Sequence, residues 1–347
     1  MSAHSNEPPA SHQPTPQDML MRLGMGHLVA GALSVMVELR IADKLENGPK
    51  SSEELAQATG ARADILARMM RSLETVGVFA RTSDKRWMLT PLSDLLRTKH
   101  PQTLHTNLLW GTSPGHFHIY AHSLHTAMTG QPAIEKATGK PCFEALASDP
   151  REQNSFDDAM TGLSQAVMPA ILEAYDFSPI NTLVDVAGGH GFVLSSILAR
   201  NPKMRGVVYE QAHVANGARR RFTEMGLSDR AQAVTGNIFE NVPAGGDAYL
   251  MKHILHDWDD AKSGQILRNI HQAMGGKKGK LILIESVVPE TPEPHFSKMI
   301  DLEMMMYPGG KERTESEWHE LLSANKFRIS RIVPTKAPLW VIEAIAD

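Results

Sequence analysis

Apolar positions recur at helical spacing from about Asp18 to Leu45, where Met, Leu, Val and Ala are denser than a single buried face requires. That excess predicts a helix packed between subunits. The next stretch, SSEELAQATG, sets Ser52 before acidic residues as an N-cap and Gly60 where the helix closes. ADILARMMRSLETVGVF then carries Ile65, Leu66, Met69, Met70, Leu73 and Val76 on one stripe, and FARTSDKRWMLT reads as a β-hairpin turning around Ser83–Lys85. Helix, turn, helix and hairpin make a winged helix, expected over 17–105. The polar, Pro/Ser-rich residues 1–16 read as a disordered tail. Residues 106–175 read as a helical linker, with a loop near TGQPAIEKATGKP.

From Asn181 the pattern changes to short apolar runs alternating with helices: TLVDVAG, GVVYE, AQAVTGN, AYLMKH, KLILIESVV, FRISRIVP and LWVIEAIA. Such runs predict an α/β domain over 176–347, with a parallel sheet covered by helices on both faces. Ligands of such sheets gather at the carboxyl ends of the strands.

The chain has 347 residues, a formal net charge of −4 and one cysteine, Cys142. Its length accommodates two domains. The charge offers no footprint for nucleic acid or an anionic membrane, and a single cysteine allows no intrachain disulfide. Residues 42–100 hold ten Lys/Arg against eight Asp/Glu, a weak balance for phosphate binding. The winged helix is therefore expected to dimerise rather than read DNA. The segment Leu23–Val37 is too short and too interrupted to span a bilayer, and the N-terminus has no signal-peptide pattern, so a cytoplasmic protein is expected.

LVDVAGGHGFVLSSILAR has the order strand, glycine turn, helix. Glycines 188, 189 and 191 admit close approach of a ligand, and the helix beginning near Phe192 aims its N–H groups at it. Dinucleotide enzymes use a similar turn, but here Asp185 would repel a pyrophosphate while suiting an ammonium, and position 194 is Leu rather than a third glycine. These details favour S-adenosylmethionine. Glu210, ending GVVYE, is placed to hold ribose hydroxyls. Asn237 is placed to bond the adenine amino group, Ile238 and Phe239 to pack on its ring, and Lys252 and Trp258 to complete the nucleoside pocket.

DVAGGHG, GNIFE, KHILHDWDD, LIESVVP and YPGGKERT occur in the order and spacing of the small-molecule O-methyltransferases, which include plant caffeate-type and bacterial polyketide-tailoring enzymes. Essentially residues 18–347 resemble that family. The resemblance implies a Rossmann-like methyltransferase domain with a mostly parallel seven-stranded sheet and an antiparallel last strand, an N-terminal all-helical winged-helix dimerisation domain, and a homodimer. It implies S-adenosyl-L-methionine as methyl donor, S-adenosyl-L-homocysteine as product, and a small aromatic acceptor methylated on a hydroxyl. N- or C-methylation on the same scaffold and a ligand-sensing winged-helix regulator are the alternatives.

By the same resemblance, His256 is the general base and Glu285 and Glu312 flank and orient it. His253 is the rival base, read from sequence as a packing residue. Ser164 is implied to touch the cofactor's carboxylate. Phe156, Met160 and Leu163 are implied to line one wall of the acceptor pocket, with Met304, Met305 and Tyr307 opposite. Three positions depart from the family: Ala187 for the first glycine of the turn, and Glu210 and Asn237 for two aspartates. His118, His122 and His125 share a helical face in GHFHIYAHSLH beside His116, but no acidic residue or cysteine completes a local metal set, and no metal is expected.

Overall fold

A computed structural model describes residues 14–276 and 279–347. Most of the expected tail, residues 1–13, lies outside the described residues, and Pro16 already opens a helix capped by Thr15. The chain divides into two compact units, one ending at Thr112 and the other running from Ser113 to Asp347. Helix His105–Gly111 therefore lies in the first unit, and nearly all of the expected linker lies in the second.

In the first unit the long helical pattern is broken twice. Pro16–Gly24 gives way to Gly26–Glu38 at Met25, and Arg40, with φ of 51°, separates the latter from Ile41–Lys44. Helix Ser52–Thr59 is capped one residue earlier than expected. The Ser51 hydroxyl accepts from Glu54 N while the Glu54 carboxylate accepts from Ser51 N, and Ser52 instead accepts from the Trp87 indole. Gly60 closes that helix in left-handed backbone. Helix Ala63–Glu74 buries Leu66, Met70 and Leu73, whereas Ile65 is exposed and Val76 lies beyond the helix end. Strands β1 (Phe79–Arg81) and β2 (Trp87–Leu89) pair antiparallel as the expected hairpin. Among the described residues no single helix is long and apolar enough to cross a membrane. Pro16–Gly24 and Gly26–Glu38 reach that length only together, across a 46° bend.

The second unit begins with short helices, including Ala133–Thr138 inside the segment expected to be a loop, and continues into the 25-residue helix Pro150–Ala174. The sheet follows: β3 (Thr182–Val186), β4 (Arg205–Glu210), β5 (Ala231–Thr235), β6 (Ala248–Lys252) and β7 (Lys280–Glu285). Two short strands, β8 (Val287–Val288) and β9 (Arg313–Thr314), pair parallel with each other outside it. β10 (Phe327–Val333) and β11 (Trp340–Ala346) complete the sheet in the order β10-β11-β7-β6-β3-β4-β5. All seven apolar runs become strands, and β11 is antiparallel to both neighbours as expected. Runs such as Leu281–Ile284 are buried on both faces because helices cover each side.

Strand order reverses around β3, with β4 on one side and β6 on the other. A crevice opens at the carboxyl ends of strands at such a switch point. The loops leaving β3 and β6 carry the glycine turn and the HDW motif.

Candidate active site

β3 delivers Asp185 in register with Leu250 of β6. The chain after it turns on Ala187, Gly189 and Gly191, with φ of 57°, 56° and 72°, before helix Phe192–Arg200 starts where the sequence placed it. Left-handed backbone at Ala187 explains why a glycine is usual there, since a Cβ in that region costs ~1–2 kcal/mol. A Cβ on Gly188 would stand 2.6 Å from the Asp185 carboxylate, so glycine is required for the fit. One Asp185 oxygen is buried without a partner, and burial followed by the charge of Glu210 pushes this carboxyl up to about 7. A cation placed beside it would be favoured. Glu210 accepts from Gly189 N at 3.1 Å and Gln211 N at 2.7 Å, which ties the end of β4 to the turn. A second tie was not anticipated: His190 of the turn reaches Asp157 of the long helix at 3.5 Å.

Asn237 is exposed, and its side chain donates to Glu240 and accepts from Phe239 N. Ile238 and Phe239 are half-buried, and Phe239 meets Trp258 edge-on at 4.9 Å. Lys252, at the end of β6, is held down at about 8 by burial, against the pull of Glu285, Asp185 and Asp257. Ser164 is buried and its hydroxyl donates back to Met160 O at 2.8 Å.

His256 sits in a single 3-10 turn, Leu255–Asp257, fully within the second unit. Residues 310–313 grip this turn from outside. A Cβ on Gly310 would fall 1.9 Å from His256 O, so only glycine allows the approach. Lys311 N donates to His256 O at 2.9 Å, and Glu312 Oε1 meets His256 Nδ1 at 2.7 Å. Arg313, fully buried, donates to Leu255 O and Trp258 O, both at 2.9 Å, and to Asp260. The pairing of HDW with GGKERT is thus one tertiary contact. The sequence reading named Glu312 from that motif and missed Gly310 and Arg313, for which their place in GGKERT was the available signal.

Glu285 does not bond His256. Its Oε1 accepts from Ile254 N and Leu255 N, at 3.0 and 3.1 Å, and acts on the imidazole through charge. Asp257 lies 3.4 Å from His256 Nε2, and Asp259 caps the following helix, Asp260–Met274. Burial disfavours a charged His256, yet Asp257, Glu285 and Glu312 outweigh it and push the ring up to about 9. Burial in turn raises Asp257 to about 6 and Glu285 to about 7.

Ring nitrogens of His253 and His256 and a Glu285 oxygen lie within 4.8 Å of one another. The two rings are nearly parallel, at 17°, so their in-plane lone pairs run side by side rather than meeting at a common point, and the trio as arranged is a poor metal cage.

Phe156 meets Phe143 edge-on at 6.4 Å, and Phe143 reaches Trp258 at 5.3 Å. Met160 and Leu163 are half-buried on the same helix. On and just after helix Phe296–Met306, Met304, Met306 and Tyr307 are buried, but Met305 is 38% exposed because the helix turns it outward. The histidine cluster is divided. His118 and His122 meet in a T-shaped contact at 5.3 Å, but a break between Pro114–Tyr120 and Ser123–Thr129 ends the expected common face. His116 packs inward, 2.9 Å from Glu303 and stacked on Tyr307 at 4.8 Å.

Residues 121–328 match the O-methyltransferase domain model and residues 21–99 the O-methyltransferase dimerisation domain model. The chain belongs to the O-methyltransferase family. It is 39% identical to phenazine O-methyltransferase PhzM of Lysobacter antibioticus over 94% of this chain and 95% of that one. The crystal structure of LaPhzM superposes with a TM-score of 0.90 at 38% identity, covering 96% of this chain and 100% of that chain. The O-methyltransferase NcsB1 from neocarzinostatin biosynthesis, solved with S-adenosylmethionine and 2-hydroxy-5-methyl naphthoic acid, superposes at 0.82 with 33% identity over 97% of this chain and 100% of that chain. This O-methyltransferase uses S-adenosylmethionine, and the orphaned Asp185 oxygen, the crowded Gly188 and the helix N-terminus at Phe192 fit that donor.

Proposed function

We propose that the enzyme methylates a hydroxyl of an aromatic natural product, with His256 Nε2 taking the acceptor's proton. The observation that carries this reading is the 2.7 Å contact of His256 Nδ1 with Glu312, which occupies one ring nitrogen and leaves the other with only the 3.4 Å approach of Asp257 Oδ1, which an acceptor hydroxyl would displace. Bound S-adenosylmethionine supplies an electrophilic methyl. A phenol of pKa about 10 is roughly 0.1% ionised at neutral pH, so a base that takes its proton during attack gains about 10²–10⁴-fold. Glu312 holds the tautomer and favours the imidazolium that results. Asp185 and Glu210 would hold the donor's ammonium and ribose, with Phe239 and Trp258 beside the adenine. Lys252 would close the same nucleoside pocket, and Phe156, Met160, Leu163, Met304 and Tyr307 would enclose the acceptor ring.

Incubation with labelled S-adenosylmethionine and a panel of phenols, hydroxynaphthoates, phenazines, anthraquinones and indoles, with products mapped by mass spectrometry, tests the reading. Methylation on nitrogen or carbon alone would overturn the hydroxyl assignment. His256→Ala is expected to abolish turnover while S-adenosylhomocysteine still binds by calorimetry; a variant that keeps turnover removes His256 from the mechanism.

The first unit supports a homodimer. Met19, Leu20, Met21, Leu23 and Leu28 on its first two helices, and Met25 between them, are all exposed, an apolar run that a second copy would cover.

A further inference from the structure

His253 is buried just ahead of the catalytic turn, with left-handed backbone (φ 54°) and its N–H on Ile284 O at 3.1 Å. Its Nε2 is buried without a hydrogen-bond partner. A buried nitrogen left unpaired is unfavourable, and an apolar side chain would fill the space without that cost. What the imidazole does make is a face-to-face stack on His256, with centroids 4.4 Å apart and planes 17° apart. Burial, then the charges of Lys252 and His256, holds His253 well below the ordinary histidine value. The ring is therefore neutral when its neighbour is charged. The bond from Glu312 fixes one edge of the His256 ring, and a flat neighbour limits rocking about that edge.

We propose that His253 is a positioning residue, a neutral aromatic platform that fixes the plane of the His256 ring and offers its π face to the charge that ring acquires with the acceptor's proton. The proposal rests on the reading of His256 as base. The other groups facing that base are Asp257, Glu285 and Glu312, with Lys252 acting on Asp257; these are carboxyl and ammonium groups, and none offers an aromatic face. A neutral ring stacked on a cation is favourable where water is excluded.

The test compares His253→Phe with His253→Leu, both of which fill the site, in the full-length enzyme with S-adenosylmethionine and the acceptor that the panel identifies. The Leu variant is expected to lose about 10²-fold in kcat, as a misplaced base does, with KM for the cofactor little changed; the Phe variant is expected to recover most of that loss. Nitrogen-15 NMR of the imidazoles in the S-adenosylhomocysteine complex reads the same contrast without an acceptor. The His256 midpoint should be kept by Phe and lowered by Leu, which removes the π face at similar volume. Equal behaviour of Phe and Leu in both measurements overturns the platform. A Phe variant as impaired as Leu in rate would assign the role to a nitrogen of His253 instead. Failure of the underlying base reading shows separately, as turnover by His256→Ala.

Discussion

Three carboxylates approach the His256 imidazole, and each has a different task. Glu312 bonds Nδ1 directly, Glu285 is occupied by two backbone N–H groups and contributes charge, and Asp257 stands 3.4 Å from Nε2. Together they hold the ring's proton up to about 9 in spite of burial. On the proposal that His256 is the general base, which works only when neutral, kcat/KM, which reports the free enzyme, is expected to rise with pH until about 9. In the kcat profile the midpoint should lie lower, because a sulfonium cation bound nearby favours the neutral ring. Glu312→Gln loses the charge-assisted bond and the tautomer control, and should lower kcat by about 10–100-fold. Glu285→Gln keeps an acceptor for the turn but removes a negative charge, so the imidazolium is less favoured and the pH midpoint should move down. Steady-state profiles of the two variants check both statements, and an unmoved midpoint for Glu285→Gln would contradict its electrostatic role.

At the scale of elements, the Leu255–Asp257 turn that carries His256 is too short to hold itself. A three-residue 3-10 helix makes few internal bonds, and its geometry comes from residues 310–313 pressed against it. β8 and β9 anchor that segment to the end of β7 through the register Val287↔Arg313. Gly310→Ala would drive a Cβ into the His256 carbonyl, which cannot be relieved by a side-chain shift. It is expected to cost about 10²-fold in kcat with a lowered Tm. Arg313→Lys leaves buried carbonyls of Leu255 and Trp258 short of donors and should cost about 1–3 kcal/mol in denaturant unfolding. If either substitution left both rate and stability unchanged, the turn would have to be held by something else.

For the whole molecule, the homodimer reading predicts a change of assembly rather than of chemistry. The first unit carries the family's dimerisation domain, and besides its exposed apolar helix it has an apolar groove lined by Val35, Leu39, Ile65 and Met69. Light scattering after size exclusion is expected to give twice the chain mass. Leu20→Glu with Leu23→Glu, both exposed within the unit, should shift the protein toward monomer without unfolding it. A monomeric wild type would overturn the reading.

The local pattern by itself determined a good deal. Seven apolar runs became seven sheet strands, the winged-helix elements appeared in order, and the helix after the glycine turn began at Phe192. Those features depend on periodicity, caps and glycine, which act over a few residues. Where local signals competed, the boundary moved: Ser51 took the cap from Ser52 because its hydroxyl reaches Glu54 N, and Met25 and Arg40 interrupted a continuous apolar pattern. The motifs also named the residues of the proposed site, but not the contacts among them. Which carboxylate bonds the imidazole, which one only lends charge, and why Gly310 and Arg313 matter were decided by contacts such as His256 with Glu312, 56 positions apart. Hydrogen-bond direction and close packing across that separation exist only once β6, β7 and the 310–313 segment are brought side by side.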